Sequence, residues 1–271
     1  MVLNYGIAKN GVVSIRSKSN LESELADEIL FGMTVKLLEE KSNGWYYVET
    51  SYNYNGYINK NDLYLYDEEG LKWDKEANYV IDWKVVDVLK EPKYQSYPIK
   101  QLTKGSIIKL SGEKVDNWVE VLFPDGEKGW IRKEWTVERI RNGKKVNEEI
   151  LRKNVVNTAL SYLGTQYRWG GKSPLGIDCS GLCSISYLIN GIVIYRDSEI
   201  KEGYSVKKIS RENMRSGDLI YYPGHITMYI GNDKYIHSTG SSGGVVINSL
   251  NPEDMDYRED LVDMKEVGSI F

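Results

Sequence analysis

Over the first half of the chain, apolar and polar positions alternate in short runs such as Val119-Glu120-Val121, separated by Gly, Asn and Asp. A period of two bounded by turn formers predicts antiparallel strands with one buried face. The runs also repeat. GMTVKLLEEKSNGW, beginning at Gly32, returns as GSIIKLSGEKVDNW at Gly105, which aligns Lys36, Leu37, Glu40, Lys41 and Trp45 with Lys109, Leu110, Glu113, Lys114 and Trp118. The offset is 73 residues (105 − 32, and again 118 − 45) and continues through Val48 and Val121, Gly56 and Gly129, Ile58 and Ile131, and Lys60 and Lys133. A period that long, carrying several strands, predicts two tandem copies of one small β-barrel. The repeated Trp and Val positions read first as core.

Tyr66 to Trp73 (YDEEGLKW) reads as a charged connector between the copies, and Ile140 to Val146 (IRNGKKV) as a polar linker after the second. Beyond it the period becomes helical. Asn147 is placed to cap a helix with Glu148 and Glu149 in its first turn, while Leu151, Val155, Thr158, Ala159 and Tyr162 line one face as far as Gly164. Gly170, Gly171, Pro174 and Gly176 then break the backbone into a loop. From Asp178 the spacing of Leu182, Ile185, Leu188 and Ile189 predicts a second helix ending at Asn190-Gly191. Strands are predicted over Asp218 to Tyr222, His225 to Gly231, Lys234 to Thr239 and Gly244 to Leu250, the second turning into the third at Gly231-Asn232-Asp233. The breaks divide the chain into domains 1–66, 67–139 and 140–271.

At 271 residues and 41% hydrophobic content, two or three separate cores are within reach. The 21 Tyr and 7 Trp against 3 Phe point to half-buried rings with polar tips, which suit a sugar- or peptide-binding surface and equally a Tyr-rich barrel. The net charge of −4, with both signs interspersed, argues against the basic face that nucleic acid requires. No apolar run approaches a membrane span. MVLNYGIAKNGVV lacks the basic region and apolar core of a secretory leader. The expected location is therefore cytoplasmic, or secreted or wall-associated if a leader has been removed.

Cys179 falls in the first turn of the second predicted helix, where unpaired N–H groups and the helix dipole favour a thiolate. Cys183, one turn on, reads as a core residue. The chain has two histidines, His225 and His237, both downstream in strand segments. Cys, then His, then a polar residue is the order in papain-like peptidases, where an imidazole activates the thiol and a third group orients it. Zinc on Cys179, Cys183, His225 and His237 fits by residue type, but eleven residues separate the histidines where about three to five is usual. A simple two-residue turn at Asn232-Asp233 would pair Met228 with His237 and leave the imidazoles on opposite faces. Their meeting requires a bulge or a shifted turn.

The blocks YRWGG, DCSGL, SGDLIYY, HITMYIGNDKYIHSTG and GGVVINSL resemble the NlpC-type cell-wall cysteine peptidases over roughly the last half of the chain. The repeated copies, with a Trp, a strand and then Gly-Tyr-Ile or Gly-Trp-Ile, resemble the bacterial SH3-like domains that commonly accompany them. The resemblance implies a multidomain chain, with two small all-β SH3-like barrels followed by an α+β papain-like cysteine peptidase domain. It implies Cys179 as nucleophile, His225 as general base, His237 as the orienting residue, Tyr167 at the oxyanion site and Trp169 at the substrate.

In a subgroup with two SH3-like domains, an Arg-Asp-Ser after the catalytic helix helps to bind the substrate's free amino group. Here that segment is Arg196-Asp197-Ser198, and Asp178 and Ser180 could join it as acceptors for a buried ammonium. Asp197 or Ser198 reads equally as the cap of a turn. Tyr54, which the 73-residue offset aligns with Glu127, is the barrel residue expected to reach the substrate end.

The implied reaction is cleavage of the γ-D-glutamyl to diamino acid bond in peptidoglycan stem peptides, by a monomer without metal or organic cofactor. The free-amine segment favours muropeptide fragments with an N-terminal L-Ala, as in murein peptide recycling. A secreted hydrolase of intact peptidoglycan, or a wall-binding protein with an amidase- or acyltransferase-like domain, remains as the alternative.

Overall fold

In the computed structural model, which describes residues 4–271, the two copies of the repeat have the same topology. The first runs through strands Tyr5–Ala8, Val12–Arg16, Leu25–Leu30, Thr34–Glu40, Trp45–Thr50, Asn55–Asn59 and Leu63–Tyr66. The second runs through Tyr79–Ile81, Val85–Leu89, Pro98–Thr103, Ile107–Val115, Trp118–Leu122, Lys128–Arg132 and Thr136–Glu138. Numbered within each copy, both sheets have the order 3-2-6-5-4-1-7. From the second strand on, each strand begins 73 residues after its counterpart (85 − 12, 136 − 63). Ile15, Val48 and Ile58 are fully buried in one copy and Val88, Val121 and Ile131 in the other. Trp45 and Trp118 are buried as well, so the repeated positions are core, each aliphatic side chain contributing about 1.5–3 kcal/mol by its burial.

The charged connector is a helix, Glu69–Glu76, where the sequence reading had only a link. Gly70 and Trp73 are buried in it, and Trp73 Nε1–H donates to the Gly32 carbonyl at 2.9 Å. That partner lies 41 residues upstream, so the stretch looks merely charged until the barrel is in place.

The chain divides after Arg139 into two compact units. In the second, Asn147 caps the helix Glu148–Leu160, its Oδ1 accepting from the N–H groups of Glu149 (3.0 Å) and Ile150 (3.4 Å). The helix Cys179–Ile189 follows, and then an antiparallel sheet ordered Lys207–Ile209, Glu266–Ser269, Leu219–Tyr222, His225–Gly231, Lys234–Thr239, Gly244–Ser249. The first two strands of that order, three and four residues long, show no alternation in sequence.

Buried Arg152 ties the lead helix to the sheet, donating to Asp218 Oδ1 at 2.9 Å and to the Ser216 carbonyl at 3.0 Å. Tyr187 hydroxyl donates to the Gly217 carbonyl and fixes the second helix to the same corner. No helix among the described residues is long and apolar enough to cross a membrane.

Candidate active site

The helix carrying Cys179 starts at a cap that does more than cap. Asp178 Oδ1 accepts from the Gly181 N–H at 2.5 Å, satisfying one of the unpaired donors of the first turn. Its Oδ2 accepts from the Gly170 N–H at 2.8 Å. Arg196, only 2% exposed, grips the same carboxylate through both terminal nitrogens at 3.1 Å. It also donates to Ser180 Oγ at 2.7 Å and to the Gly171 carbonyl at 3.4 Å. A side chain at Gly181 would bring a Cβ within 2.1 Å of the Gly171 oxygen, so the DCSGL glycine allows the loop to lie against the helix.

The histidines meet because the hairpin carries a bulge. Met228 pairs with Ile236, Tyr229 with Tyr235 and Gly231 with Lys234, which leaves Ile230 as the extra residue. Asn232 and Asp233, at φ +53° and +55°, form the two-residue turn. The one-residue shift moves Met228 away from His237 and puts both imidazoles on one face. His225 Nε2 lies 2.8 Å from His237 Nδ1, and His237 Nε2 lies 2.9 Å from Asn248 Oδ1. Asn248 Nδ2–H in turn donates to the Asp256 carbonyl at 2.7 Å.

Asn248 is the residue that sequence reasoning missed. Its signal is a polar side chain in the strand GVVINS, two positions beyond Val246, which pairs with His237.

Burial dominates the electrostatics. It pushes both imidazoles down to about 4, Arg258 adding to the effect on each, while the Asn248 bond opposes it at His237. The Cys179 thiol is pushed up to about 11, by burial first and then by the Asp178 charge, against the Ile226 and Ser180 N–H groups and Arg196. The expectation that the helix start yields a thiolate is therefore corrected. Removing the sulfur from water outweighs the helix-end field, and at mid-pH the site holds a thiol and two neutral imidazoles. Ile226 is the residue after His225, so its N–H at the sulfur brings the strand of His225 to Cys179.

Burial, and then the charges of Cys179 and Asp178, push the Tyr167 phenol up, so it stays a proton donor near the sulfur. Trp169 is 63% exposed on the loop. Asp197 and Ser198 are half-buried after Arg196, and Asp197 accepts from the Tyr195 hydroxyl. Tyr54 belongs to the first unit, in the turn after Trp45–Thr50, its N–H donating to Thr50 Oγ1 at 3.0 Å. Its neighbour Tyr52 is the buried tyrosine, with its hydroxyl on Asp27 Oδ2 at 2.5 Å. Cys183 is fully buried and its thiol is also pushed up. With both nitrogens of His237 in hydrogen bonds, the ring has no lone pair directed at a metal shared with the cysteines.

Residues 164–262 match the NlpC/P60 family, and residues 11–64 and 84–137 each match the bacterial SH3 domain. Over 264 residues, 96% of this chain and 97% of the relative, the sequence is 43% identical to the dipeptidyl-peptidase 6 of Lysinibacillus sphaericus. It is 36% identical over 142 residues to the gamma-D-glutamyl-L-lysine dipeptidyl-peptidase of Bacillus cereus (strain ATCC 10987 / NRS 248), covering 48% of this chain and 41% of that protein. The crystal structure of an NlpC/P60 family protein from Bacillus cereus ATCC 10987 shares the fold, with a TM-score of 0.78 over 97% of this chain and 98% of that one at 20% identity.

Proposed function

Because the chain belongs to the NlpC/P60 family, as a cysteine peptidase with two bacterial SH3 domains, we propose that it cleaves the γ-D-glutamyl to diamino acid bond of peptidoglycan stem peptides. The preferred substrates are fragments with a free N-terminal L-Ala, released as a dipeptide. The observation that carries this reading is the match over 96% of the chain, barrels included, to a protein named a dipeptidyl-peptidase. Dipeptide release requires recognition of an ammonium two residues before the scissile bond. Acidic and hydroxyl groups gather beside Cys179, where Asp178 and Ser180 are held in place by Arg196 and Asp197 follows it.

In the proposed reaction Cys179 Sγ attacks the scissile carbonyl while its proton passes to His225 Nδ1, which matches a thiol and a neutral imidazole at rest. Asp178 occupies the Gly181 N–H, so the oxyanion is assigned to the N–H groups at the start of the helix together with the Tyr167 hydroxyl. His225 returns the proton to the departing amine, leaving a thioester on Cys179. Water then loses a proton to His225 as it attacks the thioester, and the sulfur departs, regaining that proton. The proposed setting is cytoplasmic recycling by a monomer.

The test compares kcat/KM for L-Ala-γ-D-Glu-diamino acid with its N-acetylated form and with intact sacculi. Acetylation removes the cation from a desolvated site and leaves its acceptors unpaired, so a loss on the order of 10²-fold or more is expected. Equal cleavage of the acetylated peptide or of sacculi would make a wall hydrolase the better account.

A further inference from the structure

A base serves Cys179 only if its lone pair, not its proton, faces the thiol. Between His225 Nε2 and His237 Nδ1 there is room for one proton. If His225 donates it, His225 Nδ1 carries a lone pair and can accept from Cys179. If His237 donates it, His225 carries its own proton at Nδ1 and the base is blocked. The direction of this single hydrogen bond therefore decides whether the site can start.

The far end of the chain of contacts sets that direction. Asn248 Oδ1 can only accept, so His237 is protonated at Nε2 and bare at Nδ1. The amide cannot usefully reverse, because its Nδ2–H donates to the Asp256 carbonyl and a flip would face two acceptors with each other. That carbonyl is itself fixed, accepting also from the Ser249 N–H at 3.2 Å. Lys234 Nζ pins the segment by bridging Asp254 Oδ2 at 2.7 Å and Asp256 Oδ1 at 2.8 Å, and Ser249 Oγ holds Asp254 Oδ2 at 2.7 Å.

We propose that Asn248 is a positioning residue that sets the tautomer of both active-site histidines, acting through His237 to turn the His225 lone pair toward Cys179. The proposal rests on Cys179 and His225 being nucleophile and base. An amide orients the pair without adding charge, whereas a carboxylate in its place would stabilise an imidazolium and draw the proton onto the histidines at rest. The groups that bear on them are already mixed. Arg258 opposes protonation of both, Asp260 favours it, Asp178 favours it at His225, and Tyr222 and Tyr235 pack against the rings.

The full chain has two histidines, so ¹⁵N-edited NMR of the imidazoles reads each tautomer directly. In the unaltered protein both rings are expected as the Nε2–H form. Asn248→Ala should mix the tautomers and lower kcat by on the order of 10²-fold, with KM nearly unchanged. Asn248→Asp keeps the acceptor toward His237 and nearly the shape, and gives up only the donor to the Asp256 carbonyl. It should retain the Nε2–H forms while the imidazole midpoint rises from about 4 by one pH unit or more. Nε2–H forms and unaltered kcat in Asn248→Ala, or an unmoved midpoint in Asn248→Asp, would overturn the proposal. If Asn248→Ala does not fold, the aspartate variant decides. Iodoacetamide alkylation of Cys179 needs no substrate, so an alkylation rate indifferent to His225→Ala would instead overturn the pairing of nucleophile and base.

Discussion

Replacing Arg196 with methionine keeps most of the side-chain volume and removes the charge from the most enclosed ion pair of the site. Arg196 is 2% exposed and Asp178 is 7% exposed, and four donor contacts to Asp178, Ser180 and Gly171 disappear together. Asp178 is left with the Gly181 and Gly170 N–H groups and the Ser180 hydroxyl at 3.3 Å, three neutral donors that are insufficient for a carboxylate out of water. Removing one partner of a buried pair typically costs about 3–5 kcal/mol.

Cys183 provides the assay, since it is fully buried one turn along the same helix and reacts only when the unit opens. Where opening and closing are fast, its labelling rate follows the open population, so Arg196→Met should accelerate labelling roughly 10²- to 10⁴-fold. Adding Asp178→Asn to that variant removes the stranded charge and should recover at least about 1 kcal/mol. Acceleration below tenfold, or no recovery in the double variant, would refute the argument that the arginine compensates a buried carboxylate.

His225→Ala should lower kcat by about 10²- to 10⁴-fold, whereas His237→Ala, acting through orientation, should lose less; equal losses in steady-state kinetics would count against those roles. Iodoacetamide with peptide mapping under native conditions should modify Cys179 and spare Cys183, and the reverse order would place the nucleophile wrongly. With neutral His225 as the proposed base, kcat/KM should persist as pH falls through the ordinary histidine range and fail only toward about 4. Stability has the same sign. Both imidazoles fold neutral at about 4 and unfold near about 6.5, so their contribution is complete above that value and is lost as pH falls toward 4. An acid limb of kcat/KM near 6.5 would contradict the buried-base geometry.

The barrels were legible because each strand is local and its pattern recurs at a fixed offset, so Trp45 and Trp118 declare the same environment twice. The helix start at Cys179 was legible because Gly and Pro break the chain just before it. What escaped depends on distant partners. Trp73 ties the connector helix down by reaching Gly32, and Glu266–Ser269 becomes a strand by inserting between Lys207–Ile209 and Leu219–Tyr222, both distant in the chain. Asn248 escaped because its role depends on register, and the register depends on a bulge. The thiol's preference for its proton escaped because composition does not report how much water reaches the sulfur.

Parity gives the Ile230 bulge a wider meaning. Eleven residues separate the histidines, and the turn between their strands uses two. In a regular ladder that odd interval assigns the two side chains to opposite faces, so this hairpin carries the wrong count and the extra residue corrects it. A slip that smoothed the bulge would keep nearly every backbone bond and still part His225 from His237, giving, on the proposed roles, a folded but silent protein. Deleting Ile230 outright would leave Met228 opposite Ile236 and the histidines facing each other.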